Sequence, residues 1–496
     1  MNTVNIFADS RVKIGRIEPA LFGAFVEHLG RCVYTGIYEP GHPAADEDGF
    51  RTDVLRLVKG LNIPLVRYPG GNFVSGYNWL DGIGPKADRP TRLDLAWKTT
   101  ESNQFGLDEF VKWCAKAQTS PMMAVNLGTG TPQDAASLVE YCNHPGGSYY
   151  SDLRKANGAA DPYGIKTWCL GNEMDGPWQI CGMSAQDYAD KALAAAKMMR
   201  YVDPSIKLVA CGSSGMEMPS FPEWDRAVLD TLYEEVDYIS MHRYYWQEGG
   251  SDADFFASYR DMNEFIQMIK AASDYIRAKH RSKKVMPISF DEWNVWYQNQ
   301  QGRADWSTEP HILEDNYSLK DALVFAGMMN TLINNCDRVK IACLAQLVNV
   351  IAPIFTEKSG GSFKQSTYYP FQFMANHAKG NAVSHIIVCE AMDAKQGAVN
   401  SVSSSISFDE GSGELAVFLV NYNDAAAALT MELRGFGDLK PLESAEMSGK
   451  LDARNSFEAP DAVAPYACGA PVVKGQNVSA ELAPLSYTMF RFGGKK

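Results

Sequence analysis

The chain has 496 residues, 46 % hydrophobic and 21 % charged, a length that predicts more than one domain and a composition that excludes collagenous, low-complexity and disulfide-stapled classes. Its 59 acidic residues outnumber 46 basic ones, for a formal charge of −13, which repels a phosphate backbone and excludes nucleic acid as a ligand. No uncharged apolar run approaches the ~20 residues that span a bilayer, so no membrane partner is expected.

Met1–Arg16 mixes polar and apolar residues without the apolar stretch of an export signal, so the expected compartment is the cytoplasm. Ten cysteines, none in a CxxC pair, read as small buried hydrophobes in a reducing compartment rather than as a zinc site. Residues 1–17 also read as extended, through Val4, Ile6, Val12 and Ile14.

From residue 18 to about 380, short apolar runs alternate with stretches of helical period, the sequence form of repeated βα units. Eight runs stand out: Ala20–Phe25, Ile63–Tyr68, Pro121–Asn126, Thr167–Leu170, Lys207–Cys211, Tyr238–His242, Met286–Phe290 and Ile341–Val348. Eight parallel strands, each followed by a helix, describe a (β/α)₈ TIM barrel, an α/β fold, over 18–380. The competing open doubly wound sheet calls for a glycine-rich phosphate turn, and Gly128-Thr129-Gly130 lacks the third glycine and runs into Pro132. Among the helices, Leu107, Phe110, Val111 and Cys114 share one face, and Ser184 with Asp187 opens another that Asp203-Pro204 ends.

Beyond residue 380 the pattern turns to short alternating segments. Ser405–Phe408, the turn Asp409–Gly413, and Leu415, Val417 and Leu419 at period two predict a β-hairpin. With further alternation over Val478–Phe492, residues 381–496 are expected to form an antiparallel, jelly-roll-like β-sandwich, to which 1–17 adds a strand.

In such a barrel the active site lies at the C-terminal strand ends, where polar residues interrupt the apolar runs. Glu173 and Glu292 follow the fourth and seventh runs directly. Glycoside hydrolysis needs two carboxyl groups flanking one bond, one protonated and one ionised, and mutual proximity separates their pKa values. A lone glutamate at a strand end more often pairs with an arginine; two, accompanied by Asn172, His242 and Tyr244, favour catalysis. Trp79, Trp97, Trp178, Trp293 and Trp296 lie in or beside the loops, where indoles stack on sugar rings or simply pack. His28 and His242 lack HExxH spacing, so no metal is expected. Ser213-Ser214 misses the GxSxG register of an esterase.

Gly23-Ala24-Phe25-Val26-Glu27-His28, Arg67-Tyr68-Pro69-Gly70-Gly71-Asn72-Phe73, Gly171-Asn172-Glu173-Met174-Asp175-Gly176 and Asp291-Glu292-Trp293-Asn294-Val295-Trp296 resemble motifs of the glycoside hydrolase family 51 α-L-arabinofuranosidases. The similarity runs in order over nearly the whole chain and includes Gly36–Pro43 and Leu95–Gly106. It implies a retaining exo-acting hydrolase without cofactor, releasing terminal α-L-arabinofuranosyl units from arabino-oligosaccharides, on a barrel with a C-terminal sandwich. It also implies a cytoplasmic homo-oligomer, often a hexamer. By motif, Glu173 matches the acid/base and Glu292 the nucleophile. Glu27, Arg67, Asn72, Asn172, His242 and Tyr244 match residues that hold the furanose and orient the glutamates, with Trp97 and Trp296 shaping the pocket. Gln346 matches the last sugar contact, with Asn349 close by as the alternative. Leu80 stands where the family often has an acidic residue, a departure that bears on what lies beyond the arabinose. Two other classes remain: another glycosidase on the same scaffold, such as a β-xylosidase or endoglucanase, and a non-catalytic sugar-binding protein. The preferred linkage is not legible in the residues.

Overall fold

A computed structural model describes residues 2–247, 249–298 and 302–495. Eight parallel strands, Gly23–Phe25, Leu65–Tyr68, Ser120–Val125, Thr167–Leu170, Lys207–Ala210, Tyr238–Tyr245, Ile288–Val295 and Val339–Ala345, close into a barrel in chain order. Each overlaps one of the eight apolar runs. The barrel interior is filled by Phe25, Leu65, Met122, Ala124, Cys169, Val209, Ile341 and Cys343, a packed core beneath the mouth rather than a pore.

The helices cover the barrel as their apolar spacing demands. Leu107–Ala117 buries Leu107, Phe110 and Cys114, with Val111 at the edge of the same face. Ala185–Val202 begins where Ser184 Oγ accepts the Asp187 N–H at 3.2 Å, and gives way to an extended Asp203 before Pro204.

Ten strands form a mostly antiparallel sheet that closes over a second apolar core as a sandwich. Val402–Asp409 pairs antiparallel with Glu414–Asn421 across the hairpin turn. Leu415, Val417 and Leu419 face the sandwich core, whereas Ala416, Phe418 and Val420 face the barrel, so this strand is buried on both sides. Asn2–Arg16 lies in the sheet, antiparallel to Asn381–Val388 and parallel to Ala427–Arg434. That parallel pair departs from a purely antiparallel sandwich. The antiparallel partner sets the direction of the N-terminal strand, and its other edge meets a strand running the same way.

One helix joins the two bodies. Leu319–Asn334 is buried almost throughout; Phe325 stacks on Trp293 of the seventh barrel strand at 5.0 Å. On its other side Asn330 exchanges hydrogen bonds with Ser403 and Ser405 of the sandwich, at 3.2 and 2.7 Å.

Candidate active site

The mouth of the barrel gathers the polar strand ends into one connected network. Glu173 sits just past the fourth strand, with φ of 44° following Gly171 at 89°. This left-handed turn is disfavoured for a residue with a side chain and is the kind of local strain that recurs at functional sites. Glu292 lies within the seventh strand, which carries one extra residue relative to both neighbours: Ser289 and Glu292 pair with Ser240 and His242, and Phe290 and Trp293 with Ala342 and Leu344. Such a bulge breaks the alternation of side chains, so that Asp291 and Glu292 both meet the charged groups of the barrel interior.

Glutamates 173 and 292, together with His242, each present a ligand-type atom within 4.8 Å of the others. His242 Nδ1 lies 2.9 Å from Glu173 Oε1 and 3.6 Å from Glu292 Oε2. Arg67 Nη1 donates to Glu292 Oε2 at 2.9 Å, and Tyr244 Oη donates to Glu292 Oε1 at 2.6 Å. Arg67 Nη2 donates to Asn172 Oδ1 at 2.6 Å; Asn172 Nδ2 in turn approaches Asn72 Oδ1 at 3.4 Å. The Tyr244 ring meets Trp296 edge-on at 5.0 Å.

A second carboxylate cluster borders the first. Glu27 Oε1 accepts the Phe73 N–H and the Trp97 indole N–H, both at 2.9 Å, and Oε2 accepts Gln346 Nε2 at 3.1 Å. A Cβ on Gly71 would lie 2.5 Å from Glu27 Oε2, so the backbone passes where only glycine fits. Trp97 occupies the turn between Arg92–Asp94 and Thr99–Glu101, and its backbone N–H donates to Asp94 Oδ2 at 3.3 Å. Asn349, the alternative to Gln346, spends its side chain inside its own loop, donating to Arg31 O at 2.9 Å and accepting from Thr356 N at 2.7 Å.

Burial divides the ionisation of these groups. It raises Glu173 first and the charge of Glu292 raises it further, against opposing bonds from His242 and Trp178. Burial and then Glu292 push Glu27 to about 8. Desolvation would lower His242, yet the surrounding carboxylates, Glu292 foremost, lift it to about 10, so the ring is an imidazolium at neutral pH.

The eleven residues matched by motif to the site in the sequence therefore meet in this mouth, whereas Trp293 packs on Phe325 behind it. Three others join them. Trp178, expected only to stack or pack, donates its indole N–H to Glu173 Oε2 at 2.7 Å. Gln179 donates to Asn72 Oδ1 and accepts from Ser75 Oγ at 2.7 Å. Asp291 faces both His242 and Arg67. Strand alternation points Asp291 and Glu292 to opposite faces, and only the bulge, invisible in the residue pattern, unites them.

Two family models match the chain, an α-L-arabinofuranosidase 1 domain over residues 57–274 and an α-L-arabinofuranosidase C-terminal domain over residues 291–486. A curated protein of Halalkalibacterium halodurans, named an intracellular exo-α-(1→5)-L-arabinofuranosidase, is 47 % identical, with 99 % of each chain covered. One of Bifidobacterium longum, named an exo-α-(1→6)-L-arabinofuranosidase, is 49 % identical over 85 % of this chain and 83 % of its own. A solved structure of a family 51 α-L-arabinofuranosidase from Bifidobacterium longum superposes with a TM-score of 0.96 at 42 % identity, covering 99 % of this chain and 100 % of the other.

Proposed function

The chain belongs to the α-L-arabinofuranosidases of glycoside hydrolase family 51, and on that premise we propose the following reading of its site. The enzyme is a retaining, exo-acting hydrolase that releases terminal non-reducing α-L-arabinofuranosyl residues from arabino-oligosaccharides (EC 3.2.1.55). Glu292 is the nucleophile. Arg67 and Tyr244 each hold one of its oxygens, which aims the carboxylate and stabilises its charge. Glu173 is the acid/base: buried and facing the charge of Glu292, it retains a proton for the leaving oxygen.

In the first step Glu292 attacks C1 of the terminal arabinofuranose and forms a glycosyl-enzyme, while Glu173 protonates the departing oxygen. In the second step the now ionised Glu173 takes a proton from water, which attacks the same carbon and restores the configuration. The observation that carries this reading is the carboxylate separation. An oxygen of Glu173 and one of Glu292 lie within 4.8 Å, close enough for a single nitrogen, His242 Nδ1, to sit 2.9 and 3.6 Å from them, which favours the close pair of a retaining enzyme over the ~6.5–9.5 Å carboxyl separation of inverting ones. Glu27, Asn72, Asn172, Trp97, Trp296 and Gln346 line the furanose pocket, with Asn349 assigned to the loop. Glu292→Ala is expected to lower kcat at least ~10⁴-fold, with azide restoring turnover as the inverted glycosyl azide. Undiminished activity in that variant would sink the assignment.

The preferred substrates on this reading are α-(1→5)-linked arabino-oligosaccharides, supported by the name of the full-length Halalkalibacterium relative. A product assay on α-(1→5) and α-(1→6) arabino-oligosaccharides separates this from the linkage named for the second relative. The cytoplasm is the proposed compartment, consistent with the word intracellular in the first name. A homo-oligomer is proposed, a hexamer by family resemblance, to which the exposed Phe7, Val12, Ile386 and Val388 of the sandwich sheet offer an apolar contact. Sedimentation measures its size.

A further inference from the structure

We propose that Asp291 is a positioning residue for proton transfer: its carboxylate lies behind the two cations that serve the catalytic pair, and by balancing the second positive charge it lets Glu173 keep its proton. The inference rests on the assignment of Glu173 as acid/base and Glu292 as nucleophile. Asp291 is 1 % exposed. Its Oδ1 lies 3.3 Å from His242 Nε2 and its Oδ2 3.6 Å from Arg67 Nε. Both nitrogens are buried without a hydrogen-bond partner among the described residues, so what they meet in Asp291 is its charge. The carboxylate is held in place by neutral donors, Ser240 Oγ at 2.5 Å and Cys169 Sγ at 3.4 Å. The opposite edge of each cation touches a catalytic glutamate, His242 Nδ1 at 2.9 Å from Glu173 and Arg67 Nη1 at 2.9 Å from Glu292.

With Glu173 protonated, the positive charges of Arg67 and His242 cancel the negative charges of Asp291 and Glu292. Without Asp291, one buried positive charge is left over, and ionisation of Glu173 relieves it. An uncompensated buried charge is costly, so the proton is lost at lower pH. The titratable groups that face Asp291 from the surrounding strands are Arg67, Cys169, Cys211, His242 and Cys343, with Glu292 on its own strand. Burial pushes all three thiols upward, away from the thiolate. Arg67 and His242 are therefore the cations that answer Asp291, and against the penalty of burial they hold its carboxyl below the ordinary range.

The test is the pH profile of kcat/KM for Asp291→Asn on an aryl arabinofuranoside. The alkaline limb, which reports loss of the Glu173 proton, is expected to move down by about one pH unit or more. The fall in kcat at pH 7.5 should be larger for a poor leaving group than for dinitrophenolate. A residue that only packs the barrel lowers kcat at every pH and leaves the limb in place, and that result overturns the proposal. If the variant does not fold, histidine-selective ¹⁵N labelling of the unaltered enzyme decides: both ring nitrogens of His242 must carry protons at pH 7.5, and a neutral ring overturns the proposal. Full activity of Glu173→Ala would overturn the catalytic assignment and this inference with it, whereas an unmoved limb in active Asp291→Asn overturns the inference alone.

Discussion

At the barrel mouth Arg67, Glu173, His242, Asp291 and Glu292 sit side by side, each less than a tenth exposed. The sandwich core, built from Val4, Ile6, Val417, Leu419, Leu429 and Phe490, buries aliphatic and aromatic side chains instead. Burying apolar area stabilises a fold by roughly 25 cal/mol per Å², whereas each buried ion costs several kcal/mol before its partners compensate it. The mouth is thus the part of the molecule organised for reactivity, and the barrel wall and sandwich hold it together. The left-handed Glu173 and the bulge beside Glu292 belong to the mouth as well.

The comparison is sharpened by substitutions that should act on one region alone. After Glu292→Ala, the largest effect is expected for Glu173→Ala, which should lower kcat/KM on arabino-oligosaccharides about 10²–10⁴-fold while the melting temperature holds. An equal loss on a dinitrophenyl substrate, whose leaving group needs no proton, would contradict the acid role. Leu419→Ala, in the fully buried sandwich core, should do the reverse, costing about 2–5 kcal/mol in denaturant titrations and leaving kcat of the folded enzyme unchanged. A large loss of kcat there would show that the sandwich shapes the site through the Leu319–Asn334 helix.

Stability should also depend on pH through the mouth. His242 is lifted from 6.5 to about 10, so the folded state binds its proton more tightly than the unfolded chain. That contribution is complete below pH 6.5 and disappears as pH rises through about 10. Calorimetry from pH 6 to 10 should show a falling melting temperature, with a shallower fall in His242→Gln. The smallest effect is expected for Trp178→Phe, which removes the indole donor that favours ionised Glu173. The alkaline limb of kcat/KM should then rise by less than about one pH unit, opposite in direction to Asp291→Asn.

Much of the site was legible because strand ends announce themselves. Apolar runs that stop at Leu170 and Phe290, shortly before Glu173 and Glu292, place carboxylates at the mouth once a parallel barrel is inferred, although the seventh strand itself continues past Glu292 to Val295. Gln346 and Asn349 were not separable, since three positions along a loop give no direction; the structure turns Asn349 toward Arg31 and Thr356 and Gln346 toward Glu27. Trp178 was visible only as an aromatic in a loop. Its bond to Glu173 depends on how the segment after the fourth strand folds back, which side-chain spacing does not encode.

Local pattern by itself determined the eight barrel strands, the hairpin of the sandwich and the carboxylates available for chemistry, because hydrophobic periodicity is a property of neighbours in the chain. Tertiary structure decided the rest: which side of a bulged strand Asp291 takes, the separation of the two glutamates, and the charge of His242. Those quantities arise between residues up to 225 positions apart, as Arg67 and Glu292 are. Their electrostatics depend on distances and on water exclusion that exist only once the barrel has closed.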